Sequence, residues 1–245
     1  WAWRAHGHEV GLLSDRPGDC PRQIGTVNMA HRSKGIVRTM ILKELDPFLG
    51  GSQDEIAHRI AQDRMAYHLR RYFGKSGEVD VLNYLRVSSG SVVTMIDHLV
   101  LHSFGLIVIE RESLAEPIQI KDDGQWLRMR QDGPVEMRSP ITRAYLRALS
   151  LKAFLDKMVR QKGFFDTIEL DIIVAVPDTE RIRWPSMGML PEVCNTDQVH
   201  ERVNQRILQC RRTATAAGVL TAPERRRLGE FLRSLHQPMV RAAPR

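Results

Sequence analysis

The chain has 245 residues, 42% of them hydrophobic and 27% charged, and its 36 Lys and Arg against 29 Asp and Glu give a formal net charge of +7. That length buries a full core, and this ordinary globular usage excludes a wholly disordered chain. No apolar run reaches the ~18 residues of a membrane span; the nearest, HLVLHSFGLIVIE, is broken by His, Ser and Gly.

Residues 1–50 show no sustained hydrophobic period and read as an irregular extension, with short apolar patches at 36–37 and 40–42. The opening WAWRAHGHEV has neither a Met nor an apolar signal-like run, so a fragment or further upstream sequence is expected. His6 and His8 there could bind a metal adventitiously but read as part of a disordered tail. Ser52-Gln53-Asp54-Glu55 is a capping box that opens a helix to about Phe73. Ala61, Met65, Leu69, Tyr72 and Phe73 are expected to share one side of it at ~100° per residue.

Strand-like runs follow at 79–87, 91–102 and 105–113, then a hairpin pairing 117–121 with 125–130 about Asp122-Asp123-Gly124. Residues 140–161 read as a helix with Pro140 in its first turn. Residues 168–176 read as a buried strand. A helix over 196–212 is expected behind Asn195 as its cap, and Thr221 with Glu224 forms a capping box for a last helix to about His236. These elements predict an α/β fold, a helix packed on a central mixed β-sheet with C-terminal helices. The boundaries read as 1–50 extension, 51–185 central domain and 186–245 helical region. Cys20, Cys194 and Cys210 are far apart with no CxxC pair, so they read as reduced thiols of a cytoplasmic protein.

The stretch 91–113 carries the chemistry. A link at Ser103-Phe104 sets Leu101 opposite Leu106, Leu99 opposite Val108 and Asp97 opposite Glu110. Glu112 falls on the same face by period two. Ile96, Val100, Ile107 and Ile109 fill the other face, so the hairpin is expected to be central and covered on both sides. Two facing carboxylates in such a place repel each other. A divalent cation, protonation of one acid, or a neighbouring Lys or Arg would relieve them, and an exposed strand end would make them idle. A three-residue loop with Gly105 in a bulge would turn Glu110 to the other face.

The segment IDHLVLHSFGLIVIERES, followed by GQWLRM, resembles the nuclease-related domain (NERD), which is similar to the PD-(D/E)xK nuclease fold. The likeness covers roughly residues 53–180 and continues more weakly through LPEVCNTDQVHERV. It implies a metal-dependent phosphodiesterase acting on DNA with Mg²⁺ or Mn²⁺. Asp97 matches the family Asp, Glu110 the Glu of E-x-K, and Trp126 the Trp of the following hairpin. Two positions depart: Glu112 stands where the family has Lys, and Gln62 where the first helix has an acid. The neighbouring Asp63 is expected to point outward.

In such nucleases the Lys orients water and neutralises charge on the phosphoryl group, so its loss bears directly on activity. Lys121 from the next strand could replace it, or Arg111, although period two aims Arg111 at the opposite face. A second metal held by Glu112 is a further route, and an inactivated nuclease fold is the plain alternative. The catalytic candidates are therefore Asp97, Glu110, Glu112, Lys121 and Gln62, with Asp97 and Glu110 as metal ligands. Arg70, Arg71, Gln125 and Trp126 are candidates for nucleic-acid contact. Tyr67, Tyr72 and Trp184 could stack on bases or belong to the core. His98 reads as a core residue, and His102 as a solvated residue at the turn. The expected partner is nucleic acid, DNA above all; a non-catalytic nucleic-acid-binding module and a protein-interaction domain are the competing functions.

Overall fold

The computed structural model describes residues 39–238, apart from 49, 90, 91, 114, 115, 159–163, 167 and 215–217. In chain order the elements are β1 (Ile41–Lys43), α1 (Gln53–Phe73), β2 (Val79–Ser89), β3 (Val92–His102), β4 (Gly105–Arg111), β5 (Ile118–Ile120), β6 (Trp126–Arg130) and β7 (Gly133–Met137). Then come α2 (Pro140–Met158), β8 (Glu169–Val176), β9 (Ile182–Arg183), β10 (Val193–Asn195), α3 (Val199–Thr213) and α4 (Ala222–Ser234). The α/β class with a mixed sheet and C-terminal helices is what the sequence implies.

A six-stranded sheet runs β1-β2-β3-β4-β8-β10. The two pairings made by β3 are antiparallel, while β1 with β2, β4 with β8 and β8 with β10 are parallel. A second sheet of four strands runs β7-β6-β5-β9. On one face of the larger sheet Leu99, Leu101, Leu106 and Val108 pack against Ala144, Ala148, Leu151 and Leu155 of α2 and Leu228 and Leu232 of α4. On the other, Val100, Ile107 and Ile109 meet Met65, Leu69 and Phe73 of α1 and Val199, Val203 and Ile207 of α3. β3 and β4 are thus central and covered on both sides, which explains their nearly unbroken apolar runs.

Both capping boxes form. Glu55 Oε2 accepts the Ser52 N–H at 2.7 Å and Glu224 Oε2 accepts the Thr221 N–H at 2.8 Å, satisfying donors that a helix start leaves free. Asn195 behaves otherwise. Its Oδ1 accepts the Thr179 N–H at 2.7 Å, so the residues after it make a single 3-10 turn and α3 begins at Val199.

Several expectations are corrected. The extension reading fails at 40–43, where Met40, Ile41, Leu42 and Lys43 are buried and β1 pairs with β2; residues 1–38 lie outside the described residues. The C-terminal region is not purely helical, since β10 completes the main sheet. His102 is fully buried rather than solvated, because the chain leading into α4 covers the turn and the Leu220 N–H donates to Ser103 O at 2.6 Å. Ile96 packs with Leu99 instead of on the Val100 face. A local break in alternation accompanies this: the β2–β3 register is the same on either side, Asn83↔His98 and Leu85↔Ile96, but Tyr84 between them is unpaired and has φ 52°.

Gly105 shows how tightly the turn is held. A Cβ there would lie 2.1 Å from the backbone oxygen of Glu169 in β8. Gly105→Ala is expected to cost at least about 2 kcal/mol, because a strand backbone cannot yield as a side-chain end can. Urea unfolding of the variant measures it, and an unchanged midpoint would contradict the close approach.

Candidate active site

The β3–β4 ladder runs from His102↔Gly105 through Leu101↔Leu106 and Leu99↔Val108 to His98↔Ile109. This is the expected register, set by the two-residue link. The ladder stops one pair short of Asp97 and Glu110. There the Asp97 side chain takes over from the backbone, and its Oδ2 accepts the Arg111 N–H at 3.1 Å. The other edge of β4 stays paired with β8 to Arg111↔Ala175, and the Glu112 N–H donates to Ala175 O at 3.0 Å. Asp97, Glu110 and Glu112 are thereby brought together around one cleft, all three buried. The cleft is about 330 Å³, and His58, Tyr84, Arg111, Arg143 and Arg147 complete most of its wall.

Arg143 and Arg147 resolve the repulsion between the acids. They stand one turn apart on α2, so both side chains face the strand ends. Arg143 Nε donates to Glu110 Oε1 at 2.6 Å and its Nη2 to Glu112 Oε2 at 2.5 Å. Arg147 Nη1 donates to Glu110 Oε2 and lies 3.8 Å from Asp97 Oδ1. Of the three ways to relieve the carboxylates, the neighbouring arginine is the one the structure displays.

The local field follows. Burial raises the Glu110 carboxyl above its ordinary value and Asp97 adds to this, while Arg147 and Arg143 pull the other way. Burial lowers the Arg111 guanidinium, against the pull of Asp97. His58 is lowered by burial and then by Arg111, whose Nη2 lies 2.5 Å from His58 Nδ1. A neutral His58 can accept that hydrogen bond. Tyr84 is raised, first by burial and then by Asp97.

A divalent cation does not fit these residues as they are arranged. Mg²⁺ needs carboxylate oxygens at ~2.0–2.1 Å with room for water. Both oxygens of Glu110 and Oε2 of Glu112 are held by guanidinium groups, and Asp97 Oδ2 is held by the backbone. Among the described residues no group of three or more His, Cys, Asp and Glu is set to hold a metal ion.

The remaining candidates lie elsewhere. Gln62 sits on the sheet-facing side of α1, buried, with its Nε2 unpartnered, and is not part of the cleft wall. His58, one turn earlier, is the α1 residue that reaches the cleft. Asp63 is exposed and binds Arg59, pointing outward as expected. Lys121 is exposed beside a second cleft with Asp122, Trp184 and Ser186, where its Nζ donates to Gln125 Oε1 at 2.6 Å. It is not among the residues that line the carboxylate cleft. Trp126 is 3% exposed within the core and presents no face to a base. Arg70 pairs with Glu44, and Arg71 lies over Tyr72. Both sit roughly 18 Å along α1 from His58. Tyr72, expected on the side of α1 shared by Met65 and Leu69, is instead exposed and stacks on His200 at 3.5 Å. His98 is wholly buried with Nδ1 2.8 Å from Asn83 Oδ1, a core residue as expected.

Arg143 and Arg147 were not singled out by sequence reasoning. The available signal was their position beside the apolar stripe Ala144, Ala148, Leu151 and Leu155, flanking the face that must meet a strand bearing three acids.

Comparison with curated proteins and with solved structures gives no match. Residues 57–176 match the family described as nuclease-related domain, NERD. The match begins within α1 and ends with β8, so it takes in every wall of the cleft. Over this stretch, 120 of the 245 residues, the chain is similar to the nuclease-related domain family.

Proposed function

We propose that this chain is a nucleic-acid-binding domain on a nuclease fold whose phosphodiesterase chemistry has been weakened, with DNA as partner and the cytoplasm as its place. The observation that carries this is Glu112. It occupies the Lys position of the E-x-K pattern and shares Arg143 with Glu110. A Lys there would add positive charge beside a scissile phosphate, worth several kcal/mol in the transition state. A third carboxylate repels that phosphate. This favours the weakened form over a competent Mg²⁺- or Mn²⁺-dependent DNA phosphodiesterase, the activity that the family resemblance brings. No helix among the described residues is long and apolar enough to cross a membrane.

The charge distribution bears on how DNA would be held. Within the described residues Lys and Arg equal Asp and Glu in number, so the surplus of +7 falls on residues 1–38, 159–163 and 239–245. Binding that neutralises phosphates should draw on those segments and weaken steeply with salt.

The test is cleavage of single- and double-stranded DNA with Mg²⁺ or Mn²⁺ by wild type, Asp97→Ala, Glu112→Lys and Glu112→Lys/Arg147→Ala, with DNA binding measured against salt. Wild type is expected near background. Glu112→Lys alone restores the positive charge but leaves both Glu110 oxygens held by Arg143 and Arg147, so a gain of at least about tenfold is expected when Arg147→Ala is added to it. Efficient wild-type cleavage that Asp97→Ala abolishes would overturn the weakened reading. Loss of all DNA binding at low salt would favour a protein-interaction domain.

A further inference from the structure

Arg143 and Arg147 together carry two positive charges, the charge of one divalent cation. They also occupy the atoms such a cation would take: both oxygens of Glu110, Oε2 of Glu112, and the approach to Asp97 Oδ1. Arg111 supplies a third positive charge, so the three acids and three arginines of the cleft balance without any ion.

We infer that Arg143 and Arg147 are a built-in replacement for a divalent cation, and that they and a cation exclude each other from the same carboxylate oxygens. This rests on the reading of the cleft as a weakened nuclease site and adds what weakens it. Two features make the replacement lasting. The adjoining face of α2 is anchored by Ala144, Ala148, Leu151 and Leu155, each wholly buried, so the helix cannot back away without opening the core. Each arginine also reaches more than one carboxylate, which fixes both guanidinium groups in place. The side chains themselves are 31% and 26% exposed, so they can leave only by turning outward into solvent.

The inference makes cation binding a property that a single substitution on α2 should create. The probe is Mn²⁺, measured by calorimetry and by thermal unfolding with and without the ion. The proteins are wild type, Arg143→Ala, Arg147→Ala and Arg147→Ala/Asp97→Asn. Wild type should show neither heat nor a shift in Tm. Arg147→Ala and Arg143→Ala should bind Mn²⁺ on the order of a hundredfold more tightly than wild type, since a positive charge within ~4 Å of the site has been removed. Adding Asp97→Asn should abolish the gain. Should either single variant fail to fold alone, recovery of its circular dichroism on adding Mn²⁺ is the same result in another form.

Equal Mn²⁺ binding by wild type and variants would overturn the inference. So would a folded variant that binds none, or binding that survives Asp97→Asn. The two proposals fail separately. A wild type that cleaves DNA efficiently defeats the weakened-nuclease reading, whereas a wild type silent in cleavage that binds Mn²⁺ as well as the variants defeats only the replacement.

Discussion

Arg147→Ala is expected to lower the unfolding free energy by about 3 kcal/mol at pH 7, the low end for breaking a buried ion pair. The loss arises from what stays behind. Glu110 has a side chain only 2% exposed, and without Arg147 its Oε2 keeps its charge but loses its donor. Partial exposure of Arg147 is the reason to take the low end of the range. The deficit should shrink as pH falls. Burial and Asp97 already raise Glu110 above its ordinary value, and removing a guanidinium raises it further. A folded-state carboxyl that holds its proton more tightly than the unfolded chain gains stability as pH drops toward ~4.3. Glu110→Gln in the Arg147→Ala background should recover much of the loss for the same reason, a non-additive pair. Urea unfolding at pH 7 and pH 5 checks all three statements. A deficit below about 1 kcal/mol would mark the contact as a screened surface pair.

Acid should destabilise the wild type over a defined window, and two buried histidines set it. Burial lowers His98 and His102 from 6.5 to about 4. In the unfolded chain each takes a proton near pH 6.5, whereas in the fold each refuses it until about pH 4. Their contribution is therefore complete above pH 6.5 and is lost as pH falls toward 4. Each is worth about 3 kcal/mol over the whole window, because one pKa unit is ~1.4 kcal/mol. Glu110, being raised, works in the opposite sense over the lower part of this range. His98→Gln can keep a donor for Asn83 Oδ1, and His102→Asn an acceptor for the Phe104 N–H. Each should flatten the profile measured by urea midpoints between pH 7 and pH 4.5. Profiles parallel to wild type would show that the histidines take up protons without unfolding.

What could be read from the sequence was what depends on local periodicity. The register of β3 on β4 follows from a two-residue link, and the sheet-facing side of α1 follows from spacing. That is enough to bring Asp97, Glu110 and Glu112 to one place. What stayed hidden depends on tertiary approach. Arg143 and Arg147 lie more than thirty positions along the chain from Glu110, and only the packing of α2 aligns them with it. β1, β9 and β10 have two or three residues each and are strands only because a neighbour pairs with them. His102 and Trp126 looked available because coverage by a later segment leaves no mark on the segment it covers. The reversal at Tyr84 is likewise invisible, since a non-glycine residue at positive φ has no sequence signature.

The short rims of the two sheets also govern how copies of this protein meet one another. A strand left open at an edge invites a neighbour to zip on and begin an aggregate. Here β1 and β10 are three residues long, β9 is two, and β7 carries Pro134, which has no N–H to give. On β1, Lys43 turns inward and spends its Nζ on Asn83 O and Asp46 Oδ1, at 3.0 and 2.9 Å, setting a charge where a flat apolar edge would be hazardous. Among the described residues these borders are short or interrupted by Pro134, so they offer a second molecule little backbone to pair with.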